Sequence, residues 1–347
     1  MKMDPISQAS FGASVSQSFA RDGSKQAVAL LIGAIAGMAP DLDILIQSSK
    51  DPILFLEYHR QFSHSLVFIP FGALICALLF YALLHSRWLQ GRWPAAKLSF
   101  AQIYLFAFLG YATHGLLDAC TSYGTQLFWP FSNERFAWNI VSIIDPLFTL
   151  PVIFFIALAV YRKNVRYARI AFIYAVVFLC LGLFQYQRAE QAVSALAQQR
   201  GHQIERMHLK PGFANRHLWK MIYEYDGRYY VDAVRLLWDT KYITGTSIQK
   251  LDVERDFPWL PENSQQAVDI ERFRWFSDGF LAVSTRNPNL IMDVRYSFLP
   301  NKINPMWGVE VSKPQIDAGN LDVHAEYQIV RNLDDRTGKV YFEMLFN

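Results

Sequence analysis

The chain reads HRQFSHSLVFIPFGALICALLFYALL from residue 59 to residue 84. Two histidines and an arginine stand directly before the apolar run Ser65–Leu84, whose length is about the 20 residues needed to cross a bilayer. An ionisable side chain at a membrane edge is costly and usually serves a function. This stretch therefore predicts a membrane-spanning helix whose leading end carries a functional site.

Other apolar runs on both sides of this stretch predict further spans. They are Gln26–Ile46, Phe100–Leu117, Pro146–Tyr161 and Ala168–Tyr186. The first of these is interrupted by Pro40-Asp41-Leu42-Asp43 and is expected to leave the membrane near Ala39. The alternative, a signal peptide cleaved near Ala34-Ile35-Ala36, would separate Asp41 from its helix.

The segment Asp4–Ala20 predicts a short helix, because Asp4 can cap it and Pro5 suits its first turn. It either enters the membrane or pairs with the first span through the turn at residues 21–25.

The distribution of Lys and Arg indicates the orientation of the spans. Positive residues concentrate before the first span and in the loops 85–99 and 162–169, namely Arg21, Lys25, Arg87, Arg92, Lys97, Arg162, Lys163, Arg166 and Arg169. The loops on the opposite face hold only Lys50, Arg60 and Arg135. We therefore expect the first face to be cytoplasmic and the second, with the C-terminal region, to be extracytoplasmic.

The composition divides the chain in two. Hydrophobic residues make up 52% and charged residues 18%, against about 25% charged in an ordinary soluble chain. The apolar excess ends near residue 187. The predicted fold is an all-α polytopic membrane bundle of five or six helices (1–186), followed by a small extracytoplasmic α+β domain (187–347).

Turn and strand signals predict the content of the second region. Gln187–Arg200 is expected to form a helical stalk. Leu218–Tyr225 and Arg228–Leu236 flank Asp226-Gly227, a strong hairpin signal. Val323–Val330 and Lys339–Leu345 suggest a second hairpin around residues 334–338. The aromatic-rich stretches 273–280 and 304–308 are expected to form the core of this domain.

Charge and cysteine content exclude two classes of protein. The net charge is only +3 and no basic run is interleaved with aromatics, so nucleic acid is not an expected partner. Cys76, Cys120 and Cys180 form no CxxC pair, which argues against a disulfide framework or a zinc ribbon.

Seven metal-competent side chains fall on the predicted outer face. They are Asp41, Asp43, His59, His64, His114, Asp118 and Asp145. His114 and Asp118 are four residues apart and share one helix face. Imidazoles mixed with carboxylates suit zinc best, with manganese or iron as alternatives, and so many ligands could hold one or two divalent ions. The competing interpretations are helix capping, above all by Asp145 before Pro146, and an intramembrane hydrogen bond between His114 and Asp118.

Arg60 and Ser63 are the candidates for a direct part in catalysis. The Arg60 guanidinium suits a phosphate or carboxylate group of a substrate, or it balances the charge of Asp41 or Asp43. Ser63 can hydrogen-bond a ligand or cap the following helix, and Thr121 and Ser122 are weaker candidates for such supporting bonds.

In order and context these motifs resemble those of the YdjM-like family of bacterial inner-membrane proteins. The resemblance rests on Gly37–Asp43, His59–Ser65 and Gly110–Asp118, and continues into Thr121–Gly124 and Trp129–Phe131. It implies metal-dependent hydrolysis at the membrane, with the motif aspartates and histidines as ligands. Some relatives have a histidine near the N-terminus where this chain has Gln8, which implies one ion fewer or weaker binding.

We therefore expect a hydrolase whose metal-activated water attacks an ester or phosphoester of a lipid-like substrate at the outer interface. A metal transporter or sensor is a second possibility, although ligands on one face argue against transport. A non-catalytic membrane protein with a structural metal is the third.

Overall fold

The computed structural model describes residues 4–86, 98–330 and 335–346 and divides the chain into two compact units. The first comprises the residues up to Leu45, Tyr58–Phe184 and Phe213–Asn215. The second comprises Ile46–Glu57, Gln185–Gly212 and the residues from Arg216 onwards. The sequence suggested a single boundary after residue 186. The segment Ile46–Glu57, which follows Asp43, nevertheless belongs to the second unit.

Helices make up the first unit. They are α1 (Pro5–Phe19), α2 (Gln26–Met38), α3 (Leu54–Tyr58, whose last residue alone belongs to this unit), α4 (Ile69–Leu84), α5 (Phe100–Ala119), α6 (Pro146–Tyr161) and α7 (Val165–Gln199, which continues into the second unit). A 3-10 segment, Ala39–Leu45, extends α2, and the 3-10 turns Phe62–His64 and Leu66–Phe68 precede α4.

Four helical segments in the described part of the chain are long and apolar enough to cross a membrane. They are Gly23–Leu45, Leu66–Leu84, Phe100–Ala119 and Val165–Gln199. The predicted span 146–161 forms the shorter apolar helix α6, which has 16 residues. The basic residues Arg87, Arg92 and Lys97 of the orientation argument lie outside the described residues.

The surface of α4 is that of a helix in lipid. Its buried face carries mainly small residues such as Gly72, Ala73 and Ala77, whereas Phe71 and Leu79 are more than half exposed. Large apolar side chains on the outside and small ones inside allow close helix packing where lipid, not water, is the surrounding solvent. The pattern accounts for the high hydropathy of the run Ser65–Leu84.

The helix α1 is polar and yet buried. Asp4 caps it by accepting hydrogen bonds from the backbone of Ile6 and Ser7, as its sequence predicts. It packs against α2, α5 and α6. Ser10, Ser14 and Ser18 donate to carbonyl oxygens of α1 itself. Ser16 and Gln17 reach the backbone of neighbouring helices; Ser16 Oγ, for example, lies 2.7 Å from the carbonyl oxygen of Phe106. Internal partners of this kind satisfy polar groups that lipid could not.

Glycines allow α1, α2 and α5 to approach each other at backbone distance. A Cβ atom at Gly110 would lie 2.4 Å from the carbonyl oxygen of Gly33, and one at Gly33 would lie 2.7 Å from that of Gly12. No larger residue fits at these crossings. The close contact places the polar helix α1 next to His114 and Asp118 of α5.

The second unit contains two antiparallel four-stranded sheets. The first has the order β1 (Arg206–Pro211), β2 (Leu218–Tyr225), β3 (Arg228–Leu236), β4 (Thr240–Gln249). The second has the order β5 (Leu281–Val283), β6 (Leu290–Asp293), β7 (Trp307–Glu310), β8 (Glu326–Ile329). The helices are α8 (Val253–Asp256), α9 (Gln265–Phe276), α10 (Lys313–Asp317) and α11 (Asp335–Phe346).

The hairpin predicted at Asp226-Gly227 is confirmed with the predicted strand limits. Both turn residues have positive φ, 50° and 66°, as a type I′ turn requires. The aromatic core is confirmed for Phe273, Phe276, Phe280 and Trp307, which are buried, but not for Trp275, which is exposed.

Two predictions for this unit need correction. Residues 187–199 are helical, but they do not form a free stalk, because Ala189 and Val193 are buried against Trp219 of the first sheet.

The prediction of a second hairpin is wrong for its second strand. Lys339–Leu345 lies in α11, where Tyr341, Met344 and Leu345 pack on the first sheet with helical spacing. Part of the turn predicted for that hairpin, residues 331–334, lies outside the described residues.

The first sheet contains two lysines directly opposite each other, Lys210 on β1 and Lys220 on β2. Lys220 is almost wholly buried and donates to Ser297 Oγ and the carbonyl oxygen of Lys302, both at 2.8 Å. Lys210 Nζ lies 4.0 Å from the centroid of the Tyr296 ring. Among the described residues, neither ammonium is paired with a carboxylate. Burial therefore lowers the pKa of Lys210 to about 7.

Because of this low pKa, the stability of the second unit should change with pH in the alkaline range. Between pH 7 and the ordinary lysine pKa of about 10.4, the unfolded chain holds a proton that the folded chain has lost. Stability should thus increase with pH across this window. We expect Lys210→Met to reduce the rise in Tm between pH 7 and pH 10 by roughly 2–4 °C, as monitored by thermal unfolding. An identical rise in wild type and variant would contradict this assignment.

Candidate metal centre

Six of the seven metal-competent residues of the sequence come from three elements of the first unit. Pro40 lacks the N–H needed to continue the α-helical bonding of α2, and the chain tightens into the 3-10 segment that carries Asp41 and Asp43. His59 and His64 lie in the turn before α4, and His114 and Asp118 lie on α5. All six are buried except Asp41, which is partly exposed.

Four of these side chains converge on one point. His64 Nε2 and His114 Nε2 lie 2.9 Å apart. Asp41 Oδ1 lies 3.6 Å and 3.5 Å from these two nitrogens, and Asp118 Oδ2 lies 3.3 Å and 3.7 Å from them. Asp41, His64, His114 and Asp118 thus form a group in which each residue presents one ligand atom to the others.

Hydrogen bonds on the far side of each ring fix which nitrogen faces this point. His114 Nδ1 lies 2.6 Å from the carbonyl oxygen of Gly37, which can only accept, so Nδ1 carries the proton. His64 Nδ1 lies 3.0 Å from Ser63 Oγ and 3.2 Å from Asp43 Oδ2. Ser63 gives its own proton to Asp43, so His64 Nδ1 is also the donor. In the neutral rings, both Nε2 lone pairs then point inward.

Two facing lone pairs at 2.9 Å repel each other unless a proton or a metal ion lies between them. Ligands about 2.0–2.2 Å from a tetrahedral zinc ion are separated by roughly 3.3–3.6 Å, and the five measured separations, 2.9–3.7 Å, scatter around these values. Within the described residues, Asp41 Oδ1 and Asp118 Oδ2 are buried and accept no hydrogen bond of good geometry. The donor set therefore fits a divalent metal ion.

Asp43 plays a different part from the other aspartates. Its Oδ1 lies 2.8 Å from His59 Nδ1, and its Oδ2 accepts from the backbone of Arg60 at 2.9 Å and from Ser63 Oγ at 3.0 Å. A carboxylate with both oxygens used in this way orients histidines, as such groups do around metal sites. His59 Nε2, by contrast, is buried and has no hydrogen-bonding partner in the described part of the chain.

Asp43, His59 and Asp41 form a second group of side chains close enough to share an ion. Asp41 belongs to both groups, so its carboxylate is the one that could bridge two ions. The free Nε2 of His59 supports a ligand role, whereas the hydrogen bonds of Asp43 compete with one.

The two histidines before α4 differ in their electrostatics. Burial lowers the pKa of His59 against the opposing effect of Asp43. Burial also disfavours the charged form of His64, but the neighbouring carboxylates of Asp118, Asp41 and Asp43 outweigh it and raise the pKa of His64 to about 10, so a proton supplies the positive charge when no metal ion is bound. The carboxylates thus create a potential around His64 that favours positive charge.

Arg60 is completely buried and supplies part of the compensating charge. Its Nε lies 2.9 Å from Asp118 Oδ2, its Nη1 donates to Thr121 Oγ1 at 3.1 Å, and its guanidinium lies over the Tyr123 ring at 4.9 Å. The sequence suggested Asp41 or Asp43 as its partner, but the guanidinium pairs with Asp118. These contacts favour the charge-balancing interpretation over contact with a substrate.

The chain is similar to a family of known membrane proteins. The sequence model of the YdjM inner membrane protein family matches residues 3–189. The chain belongs to this family. The matched region ends within α7, so it contains both groups of metal-competent residues and the helices that carry them. It identifies the chain as an inner membrane protein.

Two relatives share about a third of this chain. YfhP of Bacillus subtilis (strain 168) is 29% identical over 119 residues, which cover 34% of this chain and 33% of that protein. The inner membrane protein YbcI of Escherichia coli (strain K12) is 31% identical over 120 residues, covering 33% of this chain and 61% of YbcI. The matches thus span less than two thirds of either relative. No solved structure matches this chain.

Gln8 of α1 lies beside the site. Its Nε2 donates to Asp118 Oδ1 at 2.8 Å, on the carboxylate whose other oxygen faces His64. The residue that the family resemblance singled out near the N-terminus is therefore in contact with a proposed ligand. In this chain an amide that orients Asp118 stands there.

The structure does not bring Asp145 into either group. Its side chain accepts from the backbone N–H of Leu147, which makes it the N-cap of α6. This was the alternative interpretation of Asp145 before Pro146, because proline often occupies the first turn of a helix.

Three residues near the ligands were missed by sequence reasoning. The carbonyl oxygen of Gly37 holds His114, the Tyr111 hydroxyl donates to the carbonyl oxygen of Ser63 at 2.9 Å, and a Cβ atom at Gly115 would lie 2.2 Å from the carbonyl oxygen of His64. All three lie within the quoted motifs. Their side chains have no metal chemistry, so only their place next to a ligand could have drawn attention to them.

Proposed function

We propose that this YdjM family member is a membrane-embedded metal-dependent hydrolase. The observation that carries the proposal is the pair of inward-facing Nε2 atoms of His64 and His114, 2.9 Å apart, with two carboxylate oxygens beside them. Imidazole and carboxylate together favour zinc, with manganese or iron as alternatives. The second group, which shares Asp41, offers room for a second ion.

A bound divalent ion would act as a Lewis acid and lower the pKa of a water molecule in the site. The chain's own residues prepare the site for this chemistry. Asp43 and the Gly37 carbonyl hold His64 and His114 in the tautomer that presents Nε2. Arg60 offsets the charge of Asp118. Asp41, the only partly exposed ligand candidate, marks the side from which a substrate would enter.

The substrate class follows from what surrounds that entrance. Leu42 and Leu45 lie next to Asp41 and are 64% and 76% exposed. An apolar rim beside a polar centre at the end of a membrane helix suits an amphipathic molecule whose ester or phosphoester lies at headgroup depth. By the distribution of Lys and Arg, the proposal puts this rim on the extracytoplasmic face.

The test is a hydrolysis assay on the purified full-length protein in lipid nanodiscs. We expect release of product from phospholipid esters or phosphoesters with zinc or manganese, loss of at least about 100-fold in rate with a chelator, and a similar loss in Asp41→Asn. Leu147→Asn, on the exposed surface of α6, serves as the control. Stoichiometric metal with cleavage of water-soluble esters alone would overturn the lipid substrate, and stoichiometric metal with no cleavage at all would overturn the hydrolase.

A structural metal site is the second candidate, because the side chains of His64, His114 and Asp118 have no exposed surface. A structural zinc is closed by four protein ligands and leaves no position for water. Under this alternative, chelation would lower Tm without affecting any hydrolysis.

A further inference from the structure

The helix α9 of the second unit carries an arginine that binds three carboxylates. Arg272 Nη2 and Nη1 lie 2.8 Å and 3.2 Å from the two oxygens of Asp51. Its Nε lies 2.5 Å from Glu57 Oε1, and Nη1 lies 2.9 Å from Asp269 Oδ1. All five donors of a guanidinium lie in one plane, so a single Arg272 can engage these groups at once.

Two of the three carboxylates belong to one short segment. Asp51 and Glu57 lie within Ile46–Glu57, the part of the loop between α2 and α4 that is grouped with the second unit. Asp269, which belongs to α9 itself, is completely buried. Arg272 therefore ties this segment to the folded body of the second unit rather than to another surface loop.

A second set of contacts holds the same segment. His324 Nδ1 lies 2.9 Å from Asp269 Oδ2 and 3.9 Å from Asp51 Oδ1. The ring of Phe55 meets that of Tyr327 edge to face, with centroids 4.9 Å apart. A bidentate pair within a partly buried network contributes more than an isolated surface ion pair. The segment is thus held in its middle, at Asp51, and near its C-terminal end, at Phe55 and Glu57.

Both ends of the segment continue directly into the candidate metal centre. Its first residue, Ile46, follows the 3-10 segment that carries Asp41 and Asp43, and its last residue, Glu57, stands two positions before His59. The conformational mobility of this segment therefore affects the mobility of the ligand candidates that flank it in the chain. Ligands that are held in place before binding lose less conformational entropy when a metal binds.

We propose that Arg272 is a positioning residue for the metal centre, through which the second unit fixes the segment Ile46–Glu57 and so pre-organises the ligands that flank it. The inference rests on the proposed metal site. The second unit would thus influence the metal centre of the first unit only through the chain segment that connects them. No residue of α9 needs to touch the metal.

The experiment compares Arg272→Ala with Arg274→Ala in the full-length protein. Arg274 lies two residues further along α9 and pairs with Glu271, which is exposed. Two readouts are taken, namely hydrogen exchange of residues 46–65 and zinc affinity by chelator competition. We expect Arg272→Ala to exchange at least about 10-fold faster in this region and to bind zinc about 10–100-fold more weakly, the effect usual for residues that orient ligands. Arg274→Ala should match wild type in both.

Further variants keep the outcome clear. Arg272→Lys, which retains the charge but not the planar fork, should fall between wild type and Arg272→Ala. Asp51→Asn breaks the same pair without altering α9 and should reproduce Arg272→Ala even if that variant folds poorly. Unchanged exchange and unchanged zinc affinity in a folded Asp51→Asn would overturn the proposal. If Arg272→Ala exchanges faster but the wild-type protein binds no zinc, the result would support the role of Arg272 in holding the segment and overturn the metal site instead.

Discussion

Alanine in place of His114 is expected to lower the zinc affinity of this protein by at least about 100-fold. The substitution removes one of the two inward-facing nitrogens, and it leaves His64 and two carboxylates as an incomplete set of ligands. It also frees the carbonyl oxygen of Gly37, which held the ring in place. The metal-to-protein ratio after dialysis against a weak chelator, measured by elemental analysis, reports the loss.

A matched control exists for the His114 experiment. His85 lies at the end of α4, where its Nδ1 is 2.9 Å from the carbonyl oxygen of Tyr81, and it belongs to neither metal-competent group. His85→Ala should keep the wild-type metal content. Full metal retention in a folded His114→Ala variant would remove His114 from the site.

Replacing Arg60 by methionine is expected to produce the largest loss of stability. Arg60 is completely buried and pairs with Asp118, which is buried as well. Methionine fills similar space but leaves the Asp118 carboxylate without its cation. Removing one partner of a buried ion pair typically costs about 3–5 kcal/mol. Thermal unfolding in detergent with chelator present, so that metal loss does not contribute, measures this cost.

The second substitution in this test restores charge balance. In Arg60→Met with Asp118→Asn, no uncompensated charge is buried, so the double variant should be more stable than Arg60→Met alone. Arg135→Met is the control. Arg135 lies over the same Tyr123 ring at 5.8 Å, and its guanidinium donates to the carbonyl oxygen of Gly124, so its replacement should cost less. Equal losses for Arg60→Met and Arg135→Met would show that the Asp118 pair contributes little.

Hydropathy and turn chemistry predicted the elements whose signal is local. The run 65–84 became α4, and Asp226-Gly227 became a hairpin turn, because neither depends on what lies nearby in space. The segment Lys339–Leu345 was misread because its apolar residues fit both a strand and a helix. Packing of Met344 and Leu345 on the first sheet decides in favour of the helix.

Other features depend on contacts that no local pattern reveals. Hydropathy alone does not predict that α1, a helix rich in serine and glutamine, is buried. Gly12, Gly33 and Gly110 bring it against its neighbours, where its polar groups bond to its own backbone or to that of the adjoining helices. In the same way, the attachment of Ile46–Glu57 to the second unit through Arg272 joins residues more than 200 positions apart.

The sequence predicted seven ligand candidates, of which the structure brings six together, but it did not predict the role of each. Ionisable residues beside apolar runs, together with the predicted topology, put six side chains in one place. Asp43 is distinguished from Asp41 only by its hydrogen bonds to His59 and Ser63. Asp145 could be separated from the others only by its position as the cap of α6. The choice of Asp118 as the partner of Arg60 likewise required three-dimensional structure.

X-ray absorption at the zinc edge of the purified wild-type protein tests the central claim most directly. We predict a stoichiometric ion with nitrogen and oxygen ligands at about 2.0–2.2 Å and the outer scattering of two or more imidazoles, which Asp43 and Gly37 hold with Nε2 inward. A spectrum without imidazole scattering, a sulfur ligand at about 2.3 Å, or the absence of a stoichiometric metal under metal-replete conditions would contradict the account.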